Sequence, residues 1–209
     1  MKTLTAEQQA RITPDQAVQL LRDGNKRFVE NTKINRNLME QVNQTSDGQY
    51  PFATILSCID SRVSAELVFD QGIGDIFSIR IAGNIVNKDI LGSMEFASKV
   101  AGTKAIVVLG HTNCGAVKGA CDGVELGNLT HLLDKITPAM DLIDDPKEAS
   151  LRNSKNIDFV DAVANANVDR TVDMIRKNSP ILAEMEQAGA IKIVSGMYDI
   201  QTGVVTFHA

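Results

Sequence analysis

The sequence predicts an α/β fold, in which a mainly parallel sheet is flanked by helices and ends in an antiparallel edge hairpin. Three observations support this prediction. From residue 51 onward, short apolar segments of strand length alternate with longer segments whose apolar residues recur at helical spacing. The chain closes with two short strand-like segments on either side of a turn. Its 209 residues, 44% of them hydrophobic and 22% charged, suit one globular domain with a substantial core.

Residues 1–49 are expected to form an N-terminal helical arm before the sheet begins. Thr13, Pro14 and Gln16 have the order of an N-cap, a first-turn proline and a capping-box partner, which predicts the start of a helix. Apolar residues then recur at helical spacing, and a polar stretch of part helix and part loop follows. We therefore predict one α/β domain over residues 1–209, with this arm at its amino end.

Five apolar segments of strand length predict the sheet. They are residues 52–57, 74–80, 104–109, 191–196 and 204–207, with the last two paired as the hairpin. Helices are predicted between them over residues 89–100, 157–177 and 179–189. Because ligands of such sheets bind at the carboxyl ends of the strands, the residues that follow these segments are the candidates for a functional site.

Two cysteines and a histidine follow predicted strands. Cys58 comes directly after the first strand, and His111 and Cys114 come shortly after the third. Two thiols and one imidazole are ligands that Zn²⁺ prefers, and three protein ligands leave one tetrahedral position open, as in catalytic zinc sites. The alternative is that each cysteine is a small buried hydrophobic residue. The grouping of all three at strand ends favours a metal centre.

The rest of the composition restricts the classes of function. Cys121, His131 and His208 have no partner motif in the sequence and are expected to be surface or core residues. A net charge of −5 does not favour binding to nucleic acid or to an anionic membrane. No apolar run approaches the ~18–20 residues needed to span a bilayer. Because the first twelve residues are polar and the count of three cysteines is odd, we expect a cytoplasmic protein with reduced thiols.

The paired motifs are specific enough to indicate a family. Cys-Ile-Asp-Ser-Arg at residues 58–62, followed about fifty residues later by Gly-His-Thr-Asn-Cys-Gly at residues 110–115, resembles the motifs of the β-class carbonic anhydrases. The similarity extends to residues 24–28, 72–84 and 196–199. Together these segments cover most of the chain, and the resemblance is weakest between residues 126 and 161.

This resemblance implies one Zn²⁺ per chain, bound by Cys58, His111 and Cys114. It also implies the reversible hydration of carbon dioxide to bicarbonate and a proton by a hydroxide bound to the zinc. Asp60 and Arg62 are the residues expected to act in catalysis. Asp60 would accept the hydrogen bond of the hydroxide, and Arg62 would hold the carboxylate ionised and in place. A purely structural Asp–Arg salt bridge is the alternative interpretation of this pair.

Two states of the metal site are known in the family, one open to water and one with the aspartate bound to the metal. Asp60 is therefore also a candidate fourth ligand. Gln49 matches a glutamine that orients the substrate in the open, plant-like enzymes, although a solvated loop amide is the alternative for it. Ile55 stands where the bicarbonate-inhibited subgroup has a tryptophan, and the chain has no tryptophan. The resemblance thus favours the open form.

The resemblance also predicts a largely apolar site for carbon dioxide and bicarbonate. Its predicted residues are Gln49, Phe77, Ala82, Phe96 and Gly115. Ala82 replaces the common valine and Phe96 replaces a tyrosine, so the pocket size and one hydrogen bond differ from the family pattern. In the family the position of Phe96 is supplied by the neighbouring subunit, and the N-terminal helices wrap a partner. We therefore expect a homodimer or homotetramer, with helices too detached from the sheet to bury their apolar face alone.

Two other functions stay open at this point. Carbon disulfide hydrolases share the paired motif, so hydrolysis of carbon disulfide or carbonyl sulfide on the same zinc site is the first alternative. The second is a non-catalytic zinc protein, in which Asp60 closes the site permanently.

Overall fold

The computed structural model describes residues 3–208 and contains a five-stranded sheet. The strands are β1 (Ala53–Ser57), β2 (Ile76–Arg80), β3 (Ala105–His111), β4 (Lys192–Tyr198) and β5 (Val205–Phe207). Their order across the sheet is β2-β1-β3-β4-β5, with β1 to β4 parallel and β5 antiparallel to β4. The predicted fold class is confirmed, including the edge hairpin.

The helices lie on both faces of this sheet. They are α1 (Ala6–Arg11), α2 (Pro14–Val29), α3 (Leu38–Gln44), α4 (Ala65–Val68), α5 (Lys88–Glu95), α6 (Gly115–Cys121), α7 (Gly127–Leu133), α8 (Ile157–Asn178) and α9 (Pro180–Gln187). Short 3₁₀ turns occur at Ala82–Asn84, Thr137–Leu142 and Ala149–Leu151. The helix predicted over residues 89–100 is divided, because a wider π-helical turn, Phe96–Val100, follows α5.

Strands β1 and β3 form the centre of the sheet, and all of their residues are buried. Their continuous apolar runs are typical of parallel strands covered on both faces. Adjacent residues of β1 show the two sides, since Ile55 packs in the cluster on the α2 face and Leu56 in the cluster on the α8 face. Strand β3 continues through His111, two residues beyond the predicted end, because His111 pairs with Tyr198 of β4.

Helix α2 begins as the sequence predicts. The N–H of Gln16 donates to Thr13 Oγ1 at 3.2 Å, and the N–H of Thr13 donates to the Gln16 amide oxygen at 2.9 Å. The expectation that the N-terminal helices cannot bury their apolar face within one chain is wrong for α2. Ala17, Val18 and Leu21 lie on one stripe of this helix and are buried in the cluster that covers the sheet.

Residues 24–28, which carry part of the family resemblance, fasten α2 to the turn after α4. A Cβ atom on Gly24 would overlap the carbonyl group of Phe69, so only glycine allows the helix to approach this closely. Asn25 Nδ2 donates to the carbonyl oxygen of Val68 at 3.1 Å, and Arg27 Nε donates to the buried carboxylate of Asp70 at 2.6 Å. The role of this segment is therefore in packing.

Helix α8 lies directly behind the carboxyl end of β3. A Cβ atom on Gly110 would be 2.5 Å from Val168 Cγ1 and 2.6 Å from Met197 Sδ, so the strand and the helix touch at this glycine. Nine residues of α8 are buried, in keeping with its central place on that face of the sheet. The contact fixes the position of α8 relative to the residues that follow β1 and β3.

No helix among residues 3–208 has the length and the apolar character needed to cross a membrane.

Candidate metal centre

The three predicted metal ligands converge at the carboxyl ends of neighbouring strands. Cys58 follows β1, His111 is the last residue of β3, and Cys114 is the N-cap of α6. The Sγ atoms of Cys58 and Cys114 are 4.0 Å apart, and the three ligand atoms all lie within 4.8 Å of one another. Each side chain is at most 4% exposed. The structure thus brings together residues that are 56 positions apart in the sequence.

The orientation of the His111 ring suits a metal ligand. Its Nδ1 atom lies 2.9 Å from the carbonyl oxygen of Thr112, and only a protonated Nδ1 can donate to that oxygen. The proton on Nδ1 leaves a lone pair on Nε2, which is buried and has no hydrogen-bond partner among the described residues. A carbonyl group that fixes the tautomer is a frequent companion of metal-binding histidines.

The two thiols lie within hydrogen-bonding distance of each other, with their Sγ atoms 4.0 Å apart. A hydrogen bond from Cys114 lowers the pKa of the Cys58 thiol, with further contributions from His111 and from the N–H of Gly83, which donates to Cys58 Sγ at 3.4 Å. The pKa of the Cys114 thiol is raised, first by its hydrogen bond to Cys58 and then by burial. A cation that binds between the two sulfur atoms would displace the protons of the thiols.

The donor set fits Zn²⁺. Two thiols and an imidazole whose Nε2 atom is buried and has no hydrogen-bond partner within residues 3–208 supply three ligands of the softness that zinc prefers. With both thiols ionised, the bound ion would be neutralised by its own ligands. A site with three protein ligands leaves room for a fourth, which is the arrangement of catalytic zinc sites.

Arg62 holds Asp60 beside this centre. Arg62 Nε donates to Asp60 Oδ1 at 2.9 Å, Nη2 donates to Oδ2 at 2.7 Å, and the Arg62 backbone N–H donates to Oδ1 at 3.0 Å. These hydrogen bonds from Arg62 hold the pKa of the Asp60 carboxyl well below its ordinary range. Asp60 Oδ2 is 4.0 Å from His111 Nε2, so the carboxylate lies next to the ligand atoms.

Arg80 is a site residue that the sequence interpretation left without a role. Its Nε donates to the carbonyl oxygen of Cys58 at 3.1 Å, and its Nη2 donates to the carbonyl oxygen of Asp60 at 2.7 Å. The last residue of β2, Arg80 pairs in parallel register with Ser57 of β1. The signal that could have identified Arg80 is its place as the last residue of the predicted strand 74–80. This strand is the neighbour of the strand that precedes Cys58.

The predicted substrate residues occupy different parts of this region. Ala82 is the first residue of a 3₁₀ turn, and the second residue of that turn, Gly83, contacts Cys58. Gly115 is exposed and is the first residue of α6, directly after Cys114. Phe77 and Phe96 line a groove of about 640 Å³ between β2 and α5, with ring centroids 6.4 Å apart. Their part in substrate binding stays a prediction.

Gln49 is separated from the metal centre within one chain. It is exposed in the loop before β1, whereas Cys58 follows that strand. The five residues of β1 span about 17 Å at the usual rise of a strand. Gln49 therefore lies at the amino end of the sheet and the metal ligands lie at the carboxyl end. Its predicted role in substrate orientation requires the site of a second copy.

The remaining cysteine and histidines, for which the sequence shows no partner motif, are partly as expected. Cys121 is buried in α6 and His131 is exposed in α7. His208 is not isolated, because its Nδ1 lies 2.8 Å from Asp169 Oδ1 and 3.1 Å from Ser195 Oγ. These contacts tie the end of the edge hairpin to α8, and the partners were not recognisable because they are distant in the sequence.

Comparison with known families bears directly on this site. A family model described as carbonic anhydrase matches residues 53–205, a range that contains β1 to the start of β5 and every candidate metal ligand. The chain belongs to the β-class carbonic anhydrase family. Carbonic anhydrase of Mycolicibacterium smegmatis is 33% identical to it over 202 residues, which are 94% of each protein.

Two further proteins show the range of similarity. A protein of Saccharolobus solfataricus named carbon disulfide hydrolase is 31% identical over 157 residues, covering 71% of this chain and 72% of that protein. The crystal structure of the β-carbonic anhydrase CafA of Aspergillus fumigatus has a TM-score of 0.72 and 24% identity, covering 81% of each chain. At that identity the structural likeness demonstrates the fold alone.

Proposed function

We propose that this chain is a zinc-dependent carbonic anhydrase that converts carbon dioxide and water reversibly to bicarbonate and a proton. The observation that carries the proposal is the position of Asp60. A carboxylate held by an arginine lies 4.0 Å from His111 Nε2, at the edge of a buried cluster of two thiols and an imidazole. The identity of 33% with a carbonic anhydrase over nearly the whole chain supports it.

Cys58, His111 and Cys114 would hold one zinc ion per chain. Bound there, zinc supplies a Lewis acid that lowers the pKa of water and so makes a nucleophile available near neutral pH. The contact of His111 Nδ1 with the carbonyl oxygen of Thr112 and the 4.0 Å separation of the two sulfur atoms both suit a cation at this position.

Asp60 would orient the water that adds to carbon dioxide. The Asp60 carboxyl stays ionised at neutral pH because its pKa is lowered, and Arg62 restrains it, so it can accept a hydrogen bond from this water. Arg62 acts through Asp60, because its guanidinium group fixes both carboxylate oxygens in one plane. Arg80 holds the backbone of the same loop from the other side.

We propose that the site is of the open kind, with Asp60 off the metal at neutral pH. Both Asp60 oxygens accept hydrogen bonds from Arg62, and rotation of the carboxylate towards the metal would have to break this bidentate pair. Ile55 in place of the tryptophan of the bicarbonate-inhibited subgroup supports the same state. If Asp60 were instead bound to the metal, the protein would bind zinc but would be inactive at neutral pH.

The substrate site would be completed by a second copy in a homodimer or homotetramer. Phe96 is 55% exposed, and Phe77 beside it lies on β2, which is an edge strand of the sheet. Gln49 lies too far from the metal ligands of its own chain to contact their substrate. Together with Ala82 and Gly115 from the metal-binding chain, these residues would line a small, largely apolar pocket.

A cytoplasmic location is part of the proposal. It is supported by the cysteines, all three of which are free in the structure, because reduced thiols persist in a reducing compartment.

Hydrolysis of carbon disulfide is the second candidate, favoured by the similarity to the Saccharolobus protein of that name. The test measures carbon dioxide hydration and sulfide release from carbon disulfide and carbonyl sulfide with the same zinc-loaded sample. We expect rapid hydration, and sulfide release no faster than with the Cys58→Ser variant. Sulfide release that clearly exceeds this control, with negligible hydration, would replace the proposal by the second candidate.

Removal of the metal tests the alternative that this chain is a non-catalytic zinc protein. A chelator is added while the oligomeric state and the hydration rate are followed together. We expect hydration to be lost while the oligomer persists. Dissociation of the oligomer, in a protein that never hydrated carbon dioxide, would indicate a structural metal.

A further inference from the structure

Helix α8 contacts the backbone of the turn between His111 and Cys114 and the backbone of the turn at Gly83, which in turn contacts Cys58. Two of its polar side chains, Asp161 and Asn167, make these contacts, although neither is among the ligands or in the paired motifs. The helix is fixed against β3 at Gly110, so it is a rigid support for what these side chains hold.

Asp161 anchors the turn between His111 and Cys114. Its Oδ1 accepts the backbone N–H of Asn113 at 2.7 Å. Asn113 has φ of 58°, a left-handed conformation that a residue other than glycine adopts at a cost of about 1–2 kcal/mol. The hydrogen bond to a carboxylate stabilises this conformation, which directs the ligands on either side of Asn113 towards one point.

Asn167 anchors the turn that contacts the other thiol. It is completely buried, and its Nδ2 donates to the carbonyl oxygen of Gly83 at 2.9 Å. Gly83 has φ of 67°, and its N–H donates to Cys58 Sγ. Asn167 therefore acts on the position of the Cys58 sulfur through a single residue, Gly83.

We propose that Asp161 and Asn167 are positioning residues that preorganise the Cys58–His111–Cys114 set for zinc. This inference rests on the proposed zinc centre and adds to it the source of its geometry. Residues that do not bind the metal themselves but orient its ligands through hydrogen bonds typically raise the metal affinity about 10–100-fold. We expect an effect of that size from each residue, because each controls the backbone on one side of the centre.

The test measures zinc affinity of the full chain by competition with a chromophoric chelator. Asp161→Ala and Asn167→Leu are each expected to weaken zinc binding about 10–100-fold. Asp161→Asn keeps an acceptor oxygen and should remain within about threefold of the wild type. Asp173→Ala removes an exposed carboxylate from the same helix and serves as the matched control, with unchanged affinity.

Thermal unfolding of the zinc-free variants separates positioning from a merely structural role. A structural role alone would lower the melting temperature and leave the zinc affinity of the folded protein unchanged, and that result would overturn the inference. The thiolate-to-cobalt absorption bands of the Co²⁺-loaded protein provide a second readout. We expect these bands to shift in Asp161→Ala and Asn167→Leu and to be restored in Asp161→Asn.

If Asp161→Ala or Asn167→Leu does not fold, the corresponding serine variant, Asp161→Ser or Asn167→Ser, decides the matter. Serine is small, polar and uncharged, and its shorter side chain no longer reaches the backbone of the turn. Weaker zinc binding by the folded variant would support the inference, and wild-type affinity would overturn it. A wild-type chain that binds no zinc would instead refute the zinc centre itself, so the two failures are distinguishable.

Discussion

Arg62 engages both carboxylate oxygens of Asp60, with Nε 2.9 Å from Oδ1 and Nη2 2.7 Å from Oδ2. The two residues belong to the motif that also contains the ligand Cys58, so the loop after β1 supplies a thiol, a carboxylate and the cation that restrains it. A planar guanidinium group matches a carboxylate in a way that lysine cannot. In the proposed mechanism, this pair supplies a carboxylate whose charge and position are fixed.

Asp60→Asn should lower the rate of carbon dioxide hydration by about 100–1,000-fold and leave the zinc content at one per chain. The amide is neutral and pairs with Arg62 through only one oxygen, so it neither orients water nor retains its position. Stopped-flow hydration and metal analysis on the same sample measure both quantities. Loss of zinc together with activity would show that Asp60 is a ligand of a closed site.

Cys58→Ser and Cys114→Ser should each abolish stoichiometric zinc binding, because the soft thiolate ligand is lost. Cys121→Ser is the matched control, since Cys121 is also buried but lies at the far end of α6. We expect this control to retain one zinc per chain in metal analysis. Equal loss of zinc in all three variants would indicate a general defect in folding and would contradict the assignment.

Gly83→Ala should destabilise the protein more than Gly123→Ala. Both glycines have positive φ, at 67° and 61°, so both substitutions carry the left-handed cost of about 1–2 kcal/mol. Only at Gly83 would the new Cβ overlap another side chain, that of Ile136, which adds about 1–3 kcal/mol of overpacking. Urea denaturation measures the free energies of unfolding, and equal losses would refute the close packing of this turn.

The acid stability of the chain should depend on Asp70. Burial opposes its ionisation, but hydrogen bonds from Arg27 and Arg36 outweigh burial and hold the pKa of the Asp70 carboxyl below its ordinary value of 3.8. A lowered pKa stabilises the folded state above the ordinary value, and this contribution is lost as pH falls through the folded value. Stability should therefore decline below about pH 4.

Asp70→Asn tests this expectation by leaving the buried Arg36 without its counter-charge. We expect the variant to lose about 3–5 kcal/mol of unfolding free energy at pH 7 and the difference from the wild type to narrow below about pH 4. Burial raises the pKa of the neighbouring Asp75, so the difference between the two proteins, measured by urea denaturation at each pH, is the relevant quantity. A difference independent of pH would contradict the charge pair.

The sequence predicted the sheet and the candidate metal ligands, which the structure brings together, because both depend on local patterns. Apolar runs identified the strands, the capping box identified the start of α2, and the ligands follow strands whose carboxyl ends meet at one edge. The exact end of β3 was missed, since pairing of His111 with Tyr198 depends on a strand more than eighty residues away.

The supporting residues could not be read from the sequence for the same reason. Asp161 and Asn167 contact the centre through backbone atoms of segments distant in the chain, and no spacing rule connects them with the cysteines. The packing of α2 was also underestimated, because its fit against the sheet depends on the close approach at Gly24. Such contacts become visible only when the chain is folded.

The most direct test of the proposed function is stopped-flow hydration of carbon dioxide between about pH 6.5 and 9, with zinc determined on the same sample. We expect strong activity at about pH 7.5 with one zinc per chain. Activity only above about pH 8 would contradict the open site. A zinc-loaded protein that is inactive throughout this range would contradict its assignment as a carbonic anhydrase.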